Sequence, residues 1–135
     1  MKVKTFNVEE YCFPDRKFQF LFYQISHGEM IIRSQKGDSF KEYNNHTIDI
    51  YFGDVLYLEV PKYFSGISFR HPTDEDVLYL NTKTEKEITK DEIVVIESNG
   101  KVYYVVASVI SVIESDLQRM ELPIHCFLSG PDEKP

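Results

Sequence analysis

The sequence predicts a mainly β protein, in which hairpins build an antiparallel two-layer sheet or a partly closed barrel, together with one short C-terminal helix. Ten Phe and nine Tyr make the chain 14% aromatic, and these residues favour the half-buried surface of a sheet. Short apolar segments alternate with Gly, Asn and Asp turn signals, as expected for hairpins. With 135 residues, 42% of them hydrophobic, the chain is long enough for one domain with its own core.

The first predicted hairpin lies in the N-terminal third. Residues 18–25, with three Phe and one Tyr, have the composition of a strand, and Met30 to Arg33 return as a second strand. Ser26-His27-Gly28-Glu29 supplies the turn between them. Residues 35–45 are polar and contain Gly37 and Asn44-Asn45, which predicts a loop.

Residues 47–60 alternate between apolar and polar side chains on both sides of Gly53-Asp54. A two-residue turn at that point would leave both faces mixed, which a half-buried sheet does not tolerate. A three-residue connection of Gly53, Asp54 and Val55 places Ile50 opposite Leu58 and makes one face wholly apolar. We therefore predict a hairpin in this register, with a bulge and Gly53 at positive φ.

Two weaker patterns follow this segment. Residues 63–70 predict a short strand that is broken or bulged at Gly66. Thr73-Asp74-Glu75-Asp76 reads as an acidic turn before a short strand from Val77 to Leu80. Residues 81–90 are polar and charged, which predicts a loop or a short exposed turn of helix.

The strongest local signal is Asn99-Gly100, which lies between two apolar segments at 92–98 and 101–107. A type I′ turn there places Ile93 opposite Val106 and Val95 opposite Tyr104. Both faces of this hairpin are then largely apolar. We expect it to be central and covered on both sides, by a second layer, a helix or a second copy of the chain.

The pattern changes after residue 107. The β-branched residues at 109–113 favour a strand or an irregular segment. Capping-box matches at Ser111 and Ser115 and helical spacing of the apolar residues predict a short helix at 115–121, which Pro123 would end. A last short strand is predicted at 124–128. Residues 1–128 would form the single domain, and 129–135 a flexible C-terminal tail.

Charge and cysteine usage indicate the compartment and the class of partner. The net charge is −7, and residues 42–135 carry seventeen Asp/Glu against eight Lys/Arg. An acidic surface disfavours nucleic acid and suits a basic protein. Cys12 and Cys126 are far apart and have aromatic neighbours, which predicts buried free thiols. The absence of an apolar leader or span predicts a cytoplasmic protein without a membrane partner.

No motif for a cofactor or a metal is found in the sequence. His27, His46, His71 and His125 share no ligand spacing, and no glycine-rich phosphate-binding loop occurs. We therefore expect no cofactor and no metal, and we assign no catalytic residue.

The outer face of the predicted 47–60 hairpin is the main candidate site. It would place Asp49 opposite Glu59 and Tyr51 opposite Tyr57. These four residues predict a non-catalytic binding protein whose acidic, Tyr-bearing face recognises a basic partner in a regulatory, adaptor or immunity-type role. One alternative is a small-molecule-binding β-barrel or sandwich with an aromatic cavity above about 300 Å³. A second alternative is a hydrolase that uses Asp49 and Glu59.

Overall fold

The computed structural model describes residues 2–8, 11–37, 46–117 and 121–123. Within those ranges the chain forms seven strands, one α-helix and one short 3-10 turn. The elements are β1 (Lys2–Thr5), β2 (Cys12–Gln24), β3 (Glu29–Ser34), β4 (Thr47–Glu59), β5 (Tyr63–Arg70), α1 (Asp74–Asn81), the 3-10 turn (Lys90–Glu92), β6 (Ile93–Ser98) and β7 (Lys101–Ser115).

The strands form one antiparallel sheet in the order β1-β7-β4-β3-β2-β5-β6. An additional pairing between β6 and β7 joins the two ends of this order, so six strands form a closed ring and β1 lies on the edge of β7. The predicted mainly β class and antiparallel barrel are thereby confirmed. Closure also removes most of the exposed strand edges that an open sheet would have.

Alternation along the strands places one face of each strand inside the ring. Ile48, Ile50 and Phe52 of β4 point inward, where they meet Met30 and Ile32 of β3. All five are buried, and full burial of one such side chain contributes about 1.5–3 kcal/mol. Other strands complete the interior with further apolar side chains: Phe18, Phe64, Ile67, Phe69, Val94, Ile96, Val105, Ala107 and Val112.

The β6–β7 hairpin forms in the predicted register. Ile93 pairs with Val106 and Val95 with Tyr104, and the turn is Asn99-Gly100. One face of the hairpin lines the barrel interior. The other face packs against a second apolar cluster that contains Leu80 of α1 and Ile88. The expected two-sided cover is therefore present, and the chain's own helix and the segment after it supply the outer layer.

The position of the helix differs from the prediction. Residues 77–80, predicted as a strand, belong to α1. Thr73 caps this helix, because its side chain accepts from the Asp76 backbone while the Asp76 side chain accepts from the Thr73 backbone. Acidic residues in the first turn also favour a helix start. What was interpreted as an acidic turn is therefore a helix N-terminus.

The C-terminal part of the chain departs from the prediction where it is described. Strand β7 continues through Ser115, so the β-branched run at 109–113 belongs to a strand and the helix predicted from residue 115 does not begin there. Residues 118–120, the strand predicted at 124–128 and the tail at 129–135 lie outside the described residues.

The predicted hairpin at 47–60 is wrong. Residues Thr47–Glu59 form a single strand, and Ile50 pairs with Ile32 on one side and Val112 on the other. Asp54, and not Gly53, has positive φ, at 57°, and the register with β7 shifts between Val55 and Tyr57. The turn signal therefore marks a bulge within a continuous strand. The segment forms a continuous strand because β3 and β7 then pair with its two edges. In a hairpin, the two halves of the segment would pair only with each other.

Two other predictions are confirmed. Strands β2 and β3 form a hairpin around residues 25–28. The strand predicted at 63–70 forms as β5, but it is not broken at Gly66, whose φ is +81°. The register irregularity opposite Gly66 lies in β2, between Phe13 and Lys17. A Cβ at Gly66 would lie 3.0 Å from the Pro14 carbonyl oxygen, so the backbones of β2 and β5 approach closely there.

Candidate functional site

The four residues of the predicted acidic face do not lie together. Asp49 and Glu59 are ten residues apart on one strand, which corresponds to about 30 Å at the rise of an extended chain. Tyr51 and Tyr57 are likewise on the same strand and do not face each other. The carboxylate pair on which the hydrolase hypothesis depends is therefore not formed, since that chemistry needs two carboxyl groups close together.

Asp49 belongs to a buried ion pair with Arg33. The Arg33 Nε donates to Asp49 Oδ1 at 2.7 Å, and Nη2 donates to Oδ2 at 2.8 Å. Both side chains are buried, with 3% of Arg33 and 0% of Asp49 exposed. The bidentate geometry satisfies both oxygens of the carboxylate. Asp49 therefore holds β4 to β3 and is not accessible to a partner.

Tyr51 lies two residues after Asp49 on β4 and on the same face of the strand. Its hydroxyl donates to Glu29 Oε2 at 2.6 Å, and the ring is half-buried. The other oxygen of this buried carboxylate, Glu29 Oε1, has no hydrogen-bond partner. Tyr51 and Asp49 therefore belong to the polar contacts that join β3 and β4.

Tyr57 and Glu59 form a different cluster at the other end of β4. Glu59 Oε2 accepts from the Tyr57 hydroxyl at 2.5 Å and from the Tyr79 hydroxyl at 2.6 Å. Burial and the hydrogen bond to Glu59 raise the pKa of Tyr57 to about 12. The hydrogen bond to Glu59 also raises the pKa of Tyr79. These contacts connect α1 to the barrel, and Tyr79 is a member that the sequence did not identify.

Asp76 is the centre of a second polar network at the start of α1. Arg70 Nη1 donates to Oδ2 at 2.8 Å, and the Tyr104 hydroxyl donates to Oδ1 at 2.7 Å. Burial alone would raise the pKa of Asp76, but the hydrogen bonds from Arg70, Thr73 and Tyr104 outweigh it and hold the pKa well below its usual range. Burial and Asp76 raise the pKa of Tyr104 to about 12. This network joins the first turn of α1 to β5 through Arg70 and to β7 through Tyr104.

A hollow of about 390 Å³ opens in the barrel wall between β5 and the β6–β7 hairpin. We call it the wall gap. Its lining combines aromatic side chains with lysines and small polar residues: Lys17, Phe18, Tyr63, Phe64, Ser65, Ser98, Asn99, Lys101 and Tyr103. A neighbouring hollow of about 440 Å³ shares four of these residues, namely Ser65, Ser98, Asn99 and Lys101.

The wall gap exists because β5 and β6 pair over a short distance. Their register covers only Ser68 to Arg70 of β5 among the described residues. Beyond it, the hairpin turns at Asn99-Gly100, where φ is +56° and +78°. The Ser98 hydroxyl donates to the Gly66 carbonyl at 2.6 Å and links the two sides. Both Gly66 and Asn99-Gly100 were visible in the sequence, but their proximity was not.

The cysteine and histidine predictions have mixed outcomes. Cys12 is a free thiol, as predicted, but it is exposed and not buried, and Cys126 lies outside the described residues. His27, His46 and His71 are exposed, and His125 is not described. Within 2–8, 11–37, 46–117 and 121–123, no three His, Cys, Asp or Glu side chains converge as a metal site.

Comparison of the chain with protein-family models, with curated proteins and with solved structures finds no significant match. In the part of the chain that the structure describes, no helix has the length and apolar character needed to cross a bilayer.

The buried ion pair predicts a large effect of Asp49→Asn. The substitution leaves the Arg33 guanidinium buried without its full counter-charge, so we expect the free energy of unfolding to fall by about 3–5 kcal/mol. Urea denaturation measures this change. The matched control is Asp74→Asn, because Asp74 pairs with Lys90 at the surface, where solvent screens the pair and the loss of stability should be small. Equal small losses in both variants would contradict the buried role of Asp49.

The Asp76 network predicts a specific acid dependence. In the folded chain the Asp76 carboxylate stays ionised at a pH where the same group in the unfolded chain has already bound a proton. The contribution of this carboxylate to the free energy of unfolding is therefore full above the unfolded pKa of about 3.9 and is lost as the pH falls below it. Asp76→Asn keeps the shape and a capping oxygen but removes the charge. The stability difference between wild type and variant should be largest near neutral pH and shrink toward about pH 3.

The measurement is urea denaturation of both proteins at several pH values. Asp91→Asn, at an exposed position, serves as the control and should show a small difference at every pH. A difference between wild type and Asp76→Asn that does not change with pH would show that the carboxylate charge adds nothing to stability.

Proposed function

We propose that this protein is a non-catalytic binding protein and that it holds a small molecule in the wall gap. The observation that carries the proposal is an aromatic hollow of about 390 Å³ beside the barrel interior. Its volume falls within the range of small-molecule sites, which are concave and lined mainly by apolar and aromatic side chains with a few polar groups.

The aromatic part of the wall is held in place by the core. Phe18 and Phe64 are both buried and belong to the interior cluster. The rings of Phe64 and Tyr103 meet edge to face with their centroids 5.7 Å apart. A ligand would therefore meet a preformed surface, which lowers the entropic cost of binding.

Small polar groups at the gap could orient a ligand. The Ser98 hydroxyl donates to Gly66, but its oxygen can still accept a hydrogen bond. Ser65 and Asn99 are exposed and offer both donors and acceptors. Placing a few such groups beside an apolar wall is the usual source of specificity in small-molecule sites.

Recognition of a basic protein partner is the second candidate function, in a regulatory, adaptor or immunity-type role. Asp49 and Tyr51 no longer support it, but Tyr57 and Glu59 do, because they join Tyr79 near the surface of α1. Leu78 is 69% exposed on the same helix, and Asp74 and Glu75 add negative charge at its start. An apolar side chain with an acidic rim would suit a basic surface.

Filling the gap tests the first candidate. Ser65 is exposed and contributes to both hollows, so Ser65→Trp should fill the space without disturbing the core. We expect native mass spectrometry of the purified wild type to show a bound small molecule, and Ser65→Trp to lose it. Ser26→Trp makes the same change in an exposed turn and should keep the molecule. Retention by Ser65→Trp, or no bound molecule in any of the three proteins, would contradict the proposal.

A charge-only change tests the second candidate. Glu59→Gln keeps an oxygen that can accept from Tyr57 and Tyr79 but removes the negative charge. Wild-type protein should capture a basic partner from native lysate at low salt and less of it at moderate salt, and Glu59→Gln should capture less at both. Glu85→Gln, an exposed change, is the control. Equal capture by Glu59→Gln and wild type would overturn this candidate, and Ser65→Trp should not affect it.

A further inference from the structure

We propose that the ligand of the wall gap is an aromatic anion, in which a planar apolar body carries a carboxylate, sulfonate or phosphate group. This inference rests on the proposed small-molecule function and adds the charge and shape of the ligand. It depends on which ionisable side chains the gap contains and where they lie.

The formal charges of the gap are opposite in sign to the charge of the protein. Of its nine lining residues, Lys17 and Lys101 are charged, and none is Asp or Glu. The whole chain, by contrast, has 22 Asp and Glu against 15 Lys and Arg. A hollow with two cations and no carboxylate attracts an anion, and its low-dielectric apolar wall strengthens that attraction relative to open water.

The two lysines come from different strands. Lys17 lies on β2, opposite Ser65 of β5, while Lys101 opens β7, opposite Ser98 of β6. The gap lies between β5 and the β6–β7 hairpin, so the two lysines enter its lining from opposite sides. Lys101 is exposed, and although its backbone pairs with Ser98, its side chain has no hydrogen bond or ion pair to another residue of the described chain. Lys101 is therefore the better placed of the two to meet a ligand.

Strand alternation assigns Lys101 to the same face as Tyr103, two residues further on. Tyr103 contacts Phe64 inside the gap. A ligand ring against Tyr103 and Phe64 would thus have its anionic substituent near the Lys101 ammonium group. Lys62 adds another cation near the entrance, with Nζ 5.3 Å from the centroid of the Tyr63 ring.

Two fluorescent probes with the same rings separate the aromatic part from the charge. 8-Anilinonaphthalene-1-sulfonate carries one sulfonate, and N-phenyl-1-naphthylamine has the same ring system without it. We expect the sulfonate probe to bind the wild-type protein about tenfold more tightly at low salt, and the advantage to shrink as salt is added. Ser65→Trp should abolish the binding of both probes, which locates them in the gap.

Lys101→Gln tests the charge directly. It should weaken the sulfonate probe about tenfold and leave the neutral probe within about twofold. Lys83→Gln is the matched control, because Lys83 Nζ lies 5.4 Å from the ring centroid of Tyr79, away from the gap. Circular dichroism of each variant checks that the fold is unchanged. The variant Lys17→Gln tests the second cation independently.

Different results separate the inference from the function on which it rests. If both probes bind equally and Lys101→Gln changes neither, the gap binds aromatic molecules but does not select anions, and the inference is overturned. If Ser65→Trp does not reduce the binding of either probe, the probes bind elsewhere and the inference is overturned. If neither probe binds the wild-type protein, the inference is overturned, whereas the proposed small-molecule function is decided separately by the native mass spectrometry of wild type and Ser65→Trp.

Discussion

The barrel depends on strand β7, which pairs with neighbours along both of its edges. Its first residues pair with β6, and Tyr104 to Ser115 pair with β4. This double pairing joins the two ends of the sheet and closes the ring of six strands. Closure places the apolar faces of the strands around a single interior. It also requires β4 to remain extended along its full length, so a turn at Gly53-Asp54 is incompatible with the barrel.

The closed ring is only partly paired between β5 and β6. Because β5 and β6 pair only over Ser68 to Arg70, their backbones separate toward the Asn99-Gly100 turn. The wall gap occupies this separation and reaches the buried rings of Phe18 and Phe64. The feature that supports a binding function is thus a direct result of how far two neighbouring strands stay paired.

The acidic residues of this chain have several roles, which net charge alone does not distinguish. Asp49 neutralises a buried guanidinium, and Asp76 caps and fastens the helix. Glu59 accepts two tyrosine hydroxyls between the helix and the barrel. Each carboxylate joins two elements of the fold. The sequence predicted one acidic face that contains both Asp49 and Glu59. In the structure, Asp49 makes buried contacts between strands, while Glu59 lies near the surface of α1.

The sequence alone determined the fold class, the β2–β3 hairpin, and the register and two-sided burial of the β6–β7 hairpin. These features are local: the turn type at Asn99-Gly100 and the alternation of neighbouring side chains specify them. Only the tertiary structure decided that β4 is one strand, that Asp49 is buried with Arg33, and that Lys17, Phe64 and Lys101 meet at one gap. Alternation shows which face of a strand is apolar, but it carries no information about which distant strand will pair with its edges.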